Sequence, residues 1–389
     1  MNVREKCSLA KDYVIEMRRY FHQYPEKSLE EYETSKRIKE ELDKMGIPYI
    51  SVANTGVIAT IEGKNPGKTV ALRADMDALS VVEENDSIDY KSKIDGMMHA
   101  CGHDGHTSML LGAGKVLNDM KDEINGTVKL FFQPAEEVAQ GAKAMIADGA
   151  LEGVDGVFGI HLWTDLECGK ISVEEGPRMA AADIFKIIVK GKGGHGSLPQ
   201  QGVDAVVVSS AIIMNLQSIV SRETSPLDSV VVSIGALHSG TRFNVIADEA
   251  ILDGTARYFN PELIEEMPKM IERIAKSTAQ AYRAEATLEY TDGMPPSINN
   301  KECSKLASES VIKILGEDGL SLMTKLTAGE DMSEYLNRVP GVLAFVGAGN
   351  PEKGAGYPHH HCMFNIDEDS LEIGTSLYVQ YALDFLNNK

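Results

Sequence analysis

The sequence predicts an α/β protein, a mostly parallel sheet flanked by helices, with a ferredoxin-like α+β domain inserted into it. Three observations lead there. Branched apolar runs at 69–75, 127–133 and 156–163 alternate with helix-like segments, the rhythm of parallel strands joined by crossovers. From about 182 to 290 the order becomes strand, helix, strand, strand, helix, strand, which is the ferredoxin-like split unit. After Met294-Pro295-Pro296 the first rhythm resumes, so 181–292 reads as an insertion, and 1–180 with 293–389 as one discontinuous domain.

Each element has its own signal. Apolar and charged residues recur at helical spacing over 8–20 and 29–45, and Gly46 and Pro48 stop the second run. GVIATIE (56–62) and TVALRAD (69–75) are rich in branched residues and separated by GKNPGK, a turn signal, so both read as strands. MHACGHDGHT (98–107) leads into an apolar helix over 109–116. TVKLFFQ (127–133) is a strand that hands over to Pro134, Ala135, Glu136 and Glu137; a helix over 141–148 and the strand GVFGIHLW (156–163) follow. In the insertion, 182–191, 228–238, 248–258 and 284–290 read as strands, and 203–220 and 261–282 as helices. Asp253, Thr255 and Arg257 alternate along one of these strands and give it a polar face. A helix over 301–314, the strand VLAFVGAGN (342–350) and a helix over 367–387 close the chain.

Composition narrows the function. At 389 residues, 43% hydrophobic and 25% charged, the chain has room for two ordinary domains and is not a disordered or collagen-like polymer. A formal charge of −20 argues against nucleic acid or an anionic membrane as the main partner. No apolar run approaches the length of a membrane helix, and charges run through the place where a signal peptide core would lie, so the expected location is cytoplasmic. Five scattered cysteines, Cys7, Cys101, Cys168, Cys303 and Cys362, form no disulfide framework.

The chemistry gathers around MHACGHDGHT. On extended backbone, residues two apart point the same way, so Cys101 and His103 aim at one point just before the helix. A thiolate beside an imidazole suits zinc or a neighbouring first-row ion, and makes half a site. Further donors stand near strand ends, where open α/β sheets build their sites: Asp75, the pair Glu136 and Glu137, and His161. Asp77 reads as a turn or cap residue. TAGEDMSEY (327–335) and YPHHHCMF (357–364) supply the remaining candidates.

These stretches, with RRYFHQYPEKSLEEYET near the start, FQPAEE, GGHGSLPQ and FNVIADEAILDGTAR, resemble a family of metal-dependent amidohydrolases and exopeptidases nearly end to end. That family includes aminoacylases, hippurate hydrolases, indole-acetyl-amino-acid hydrolases and carboxypeptidase G enzymes; the resemblance is to its Cys-Gly-His-Asp-Gly-His branch. It implies a zinc-exopeptidase-like catalytic domain with an inserted lid and dimerisation domain. It makes Cys101, His103, Glu137, His161 and His360 the ligands of two divalent metal ions, zinc first, with manganese, cobalt or nickel also compatible. His360 is chosen by register from Phe364, and His359 and His361 are the alternatives. Glu136 becomes the general base and Asp75 a group that orients a ligand histidine or the metal pair. His195 would stabilise the oxyanion, Asn244 and Arg257 would hold the substrate carboxylate, and Gly329 would let substrate approach the backbone. Gly196 and Gln200 depart from the family's lid motif and bear on substrate preference. His22 and His106 read as structural hydrogen-bonding residues. The implied activity is hydrolysis of an N-acyl-L-amino acid, or a short peptide-like analogue, by a homodimer joined through the insertion. The alternatives are a dipeptidase, an N-acetyl-diaminopimelate deacetylase, or a non-catalytic relative that binds metal or amino acids.

Overall fold

In the computed structural model, which describes residues 1–388, the apolar runs of the sequence become the middle of a large sheet. A short helix at Val3–Ser8 opens the chain, helices α1 (Lys11–Gln23) and α2 (Tyr32–Met45) follow, and α2 stops where Gly46 turns left-handed at φ +68°. Next are β1 (Tyr49–Val52), β2 (Gly56–Glu62), β3 (Asn65–Asp75), α3 (His103–Asp119) and β4 (Asn125–Gln133). Helix α4 (Gly141–Ala147), β5 (Gly156–Glu167) and β6 (Ile171–Ser172) follow. The middle of the chain contributes β7 (Ala181–Lys190), β8 (Gly194–His195), α5 (Ala205–Ser218), β9 (Val230–Ser239) and β10 (Val245–Ile246). It continues with β11 (Glu249–Tyr258), α6 (Leu263–Ala281) and β12 (Glu285–Met294). Helix α7 (Lys301–Leu315), β13 (Gly341–Gly349) and α8 (Asp369–Asn387) complete it.

The chain divides into two units, one made of 1–178, 298–324 and the residues from Asp331 on, the other of Met179–Ser297 and Lys325–Glu330. In the first, the strand order is β1-β2-β4-β3-β5-β13-β6. The inner four strands run parallel, and the edge pairings are antiparallel. All nine residues of β13 are buried, as a parallel strand covered on both faces requires. Helix α3 is buried at every position from His103 to Gly114. It lies against α1 so closely that a Cβ on Gly112 would stand 2.4 Å from Val14 Cγ2.

In the second unit the order β9-β11-β7-β12, antiparallel throughout, is the ferredoxin-like arrangement. Alternate residues of β11, from Ala250 to Tyr258, are buried and share a core with α5 and α6. One sequence expectation fails here. The run Ala205–Glu223 is, by length and composition, apolar enough to cross a membrane. Its Ala205, Val208, Ile212 and Leu216 are buried in that core, which accounts for an apolar stretch of this length.

A buried ionic cluster ties the start of the first unit to its end. The Arg18 guanidinium on α1 donates to Asp104 at 2.9 Å, to Glu368 at 3.2 Å and to Asn365 at 2.9 Å. His22 spans Asp104, at 2.8 Å, and Glu83, at 3.1 Å, so its expected structural role holds. Burial opposes ionisation of Asp104, yet Arg18 and His22 hold its carboxyl well below the usual carboxylate range. Replacing Asp104 by Ala would leave two buried cationic groups without their shared partner. We expect Asp104→Ala to cost about 3–5 kcal/mol near neutral pH in urea denaturation. Because the folded-state pKa is depressed, the gap between wild type and variant should be full above about pH 4 and shrink as the pH falls towards the folded value.

Candidate metal centre

Five side chains from four separate stretches of the first unit converge: Cys101 and His103 at the start of α3, Glu137 after β4, His161 on β5 and His360 on the tail. Cys101 and His103 do not reach the site as neighbours on a strand, which corrects the expectation of extended backbone. Gly102 takes φ +88°, a conformation natural to glycine, and His103 is the first residue of α3. Glu136 and Glu137 follow β4 on a turn in which Ala135 and Ala139 adopt φ +53° and +57°. These are unusual values for residues with a Cβ, and such strain collects at functional sites. The turn is pinned by hydrogen bonds from the Ala135 amide to Glu31, at 2.9 Å, and from the Glu137 amide to Asp77, at 3.1 Å. His161 lies on β5 two residues past the last residue, Gly159, that pairs with β3. His360 arrives on the tail segment with φ +66°, its amide donating to the Ala100 carbonyl at 2.8 Å.

The donor atoms form two overlapping groups that share Cys101. Cys101, His103 and His161 bring their donor atoms within 4.8 Å of one another, and so do Cys101, Glu137 and His360. Cys101 Sγ lies 3.6 Å from His161 Nε2, and Glu137 Oε1 lies 3.6 Å from His360 Nε2 and 3.9 Å from His103 Nε2. Of the three tail histidines, His360 faces Glu137, whereas His359 donates to the Leu162 carbonyl and His361 Nδ1 accepts from the Met363 amide.

Two features suit divalent cations. First, His103 Nε2 and Glu137 Oε1 are buried without a hydrogen-bond partner, a costly state that a bound ion would relieve. Second, the opposite ring nitrogens are tied to main-chain oxygens: His103 Nδ1 to Asp77 O at 2.9 Å, and His161 Nδ1 to Leu162 O at 2.7 Å. Each tie leaves Nε2 as the lone-pair donor turned to the cluster. The thiolate, imidazole and carboxylate set fits zinc-like ions.

The electrostatics are those of a site short of positive charge. Burial pushes the Cys101 thiol well up, with Glu137 adding to it, and pushes Glu137 up to about 7 against the pull of His103. Burial disfavours the charged form of His103, yet Asp75 and Cys101 hold its pKa well above the usual value. A cation among these donors would favour the ionised thiol and carboxylate and the neutral imidazole.

Glu136 stands at the rim of this cluster, its Oε2 4.0 Å from His103 Nε2, with its Oε1 accepting from the Asp331 amide at 3.4 Å. Asp331 is itself held by Arg73 at 2.8 Å and by the Gln133 amide group at 2.8 and 2.9 Å. Asp75 is buried; it accepts from Arg73 at 2.7 Å and meets His106 Nδ1 at 2.6 Å, and lies 3.7 Å from His103 Nε2. His106 completes its bonding by accepting the Leu162 amide at 2.8 Å, so both its ring nitrogens are engaged, as expected of a structural histidine.

The group that the sequence reading passed over is Asp77. It is no plain cap: it is buried, accepts from Ser28 at 2.6 Å, and sets its carboxylate 3.3 Å from His103 Nδ1, where its own carbonyl also binds. Its place two residues beyond Asp75, just past a strand end, was the available signal. The remaining candidates belong to the second unit. His195 is exposed on β8, its Nδ1 accepting from the Ser197 amide at 3.1 Å, and Asn244 meets the same ribbon through its carbonyl, bound by the Gly196 amide at 2.9 Å. Arg257 is half-buried on β11 and donates to Ala256 and Asp183 carbonyls and to the Thr255 hydroxyl. At Gly329 an added Cβ would come 2.8 Å from the Ala182 side chain.

The profile of the peptidase family M20/M25/M40 matches residues 71–384. Thermostable carboxypeptidase 1 of Saccharolobus solfataricus is 41% identical over 382 residues, covering 97% of this chain and 96% of its own. N-acetylcysteine deacetylase of Bacillus subtilis is 39% identical over 372 residues, covering 95% and 96%. Among solved structures, the Bacillus subtilis YxeP protein, described as a dinuclear metal-binding peptidase of the M20 family, superposes with a TM-score of 0.87 at 34% identity, covering 98% of this chain and 100% of that one. A match of this length, joined to relatives aligned almost end to end, means that the chain belongs to the peptidase family M20/M25/M40.

Proposed function

We propose that this protein is a metal-dependent amidohydrolase that cleaves the amide bond of N-acyl-L-amino acids, releasing a carboxylic acid and a free amino acid. The observation that carries the reading is a second glutamate, Glu136, placed beside the donor cluster of Cys101, His103, Glu137, His161 and His360. Those five residues would hold two divalent ions, zinc first by donor type. Such a pair, when bound, acidifies water and polarises an amide carbonyl.

Glu136 then has the proton work. Its carboxylate takes a proton from the attacking water and returns it to the leaving amine. The bond from the Asp331 amide, backed by Arg73 and Gln133, keeps that carboxylate oriented. Asp77 positions His103 from its far ring nitrogen, and Asp75 acts on the site through His106 and the charge beside His103.

His195 is assigned to the oxyanion, and Asn244, Arg257 and Gly329 to binding the substrate. For Arg257 the support is that its Nη1 donates to the Ala256 and Asp183 carbonyls and the Thr255 hydroxyl, all neutral oxygens, and that a planar guanidinium suits a substrate carboxylate. A peptide with a free C-terminal carboxylate presents the same bond and the same anion, so carboxypeptidase action, borne in the name of one relative, is the second reading. The second unit is assigned to a homodimer contact: Val206, Val207 and Met214 on α5 and Val231 on the edge strand β9 are exposed apolar residues. Five free cysteines suit a reducing compartment such as the cytoplasm.

Glu136→Ala should retain two metal ions per chain by elemental analysis while hydrolysis of N-acetyl amino acids falls roughly 10²–10⁴-fold; full turnover would remove the proposed base. Asp77→Ala should weaken metal affinity by roughly 10–100-fold in a chelator titration, with Glu136 untouched. A panel of acyl amino acids against dipeptides ranks the two substrate readings.

A further inference from the structure

Three hydrogen bonds to histidine rings meet on the backbone of Leu162. Its carbonyl accepts from His161 Nδ1 at 2.7 Å and also from His359 Nε2 at 3.0 Å. Its amide donates to His106 Nε2 at 2.8 Å. The His359 ring is stacked on Trp163, centroids 4.3 Å apart and planes at 24°, and leans on His161 at 5.4 Å and on Phe364 at 5.0 Å. A ring that donates from Nε2 to a carbonyl offers no lone pair there to an ion, so His359 acts from outside the donor set.

We propose that His359 is a positioning residue: it locks the tail segment to the end of β5 through the Leu162 carbonyl, and thereby holds His360 opposite Cys101 and Glu137. The inference rests on the assignment of the five donors made above. His360 needs such a lock. Its backbone sits at φ +66°, a region unfavourable for a residue with a Cβ, which persists where the surroundings impose it.

Two anchors impose it. On the one side the His360 amide binds Ala100 O, next to Cys101; on the other, one residue earlier, the His359 ring binds Leu162 O, next to His161. Each anchor is thus a peptide oxygen adjacent to another donor residue. Removing the His359 anchor leaves the left-handed residue held on one side only. The donors affected would be those of the Cys101, Glu137 and His360 group, while His103 and His161 keep their own ties to Asp77 O and Leu162 O.

The test uses metal-free full-length protein titrated with Zn²⁺ against a competing chelator, with the stoichiometry read by elemental analysis. The Co²⁺-loaded form is read by visible absorption. His359→Phe keeps an aromatic ring against Trp163 and removes the N–H; it should weaken one of the two ions by roughly 10–100-fold and leave the other near wild type. His359→Gln, which returns an N–H donor, should restore most of that loss and the wild-type cobalt spectrum. The proposal is overturned if His359→Phe binds both ions as wild type does, if both ions weaken alike, or if His359→Gln is as weak as His359→Phe. Wild-type protein that takes up no pair of ions would instead defeat the ligand assignment itself, so the two failures are distinct.

Discussion

Donor atoms kept out of water and without hydrogen-bond partners are the constraint to which the first unit is built. Leaving His103 Nε2 and Glu137 Oε1 in that state is unfavourable, and the surrounding structure sustains it by fixing everything else about the two residues. The far nitrogen of His103 is tied to Asp77, the amide of Glu137 to the same aspartate, and the far nitrogen of His161 to Leu162. Neither imidazole can turn its free nitrogen elsewhere without giving up a buried bond. Preorganisation of this kind keeps a site rigid before any ion arrives.

A second layer of buried charge extends the same logic to Glu136. Arg73 donates to both Asp75 and Asp331, so one guanidinium neutralises two buried carboxylates. Gln133, the last residue of β4, bonds to both Arg73 and Asp331, and the turn that carries both glutamates begins at the next residue. The ion network, the strand end and the turn that carries Glu136 and Glu137 are therefore one structure. Gly141 belongs to it as well, because a Cβ there would come 1.5 Å from the Pro134 carbonyl. The start of α4 is pressed against the turn that holds Glu136.

Most of the architecture was legible because it follows from short-range rules. The apolar runs at 127–133 and 342–350, short and bounded by turn residues, match the strands β4 and β13, and the order of elements after Ala181 led directly to the ferredoxin-like sheet. Less accessible was anything set by the third dimension. Cys101 and His103 have a spacing that suits one face of a strand, yet Gly102 turns the chain so that a helix begins between them. Asp77 resembles any turn aspartate until the fold sets His103 against it. The roles of Leu162 and Ala100 lie in peptide groups, which carry no side-chain signature to read.

The position of β13 has a consequence for how the protein is made. This strand sits between β5 and β6, inside the sheet, but is encoded after the whole ferredoxin-like unit. On the ribosome the sheet therefore stays open, with the β5 edge unsatisfied, until the nascent chain has passed Gly349, and His360 emerges later still. The ferredoxin-like unit has nearly all its strands and helices much sooner. A product truncated before Gly341 would therefore expose a sticky sheet edge along β5 rather than merely lack the tail segment that carries His360.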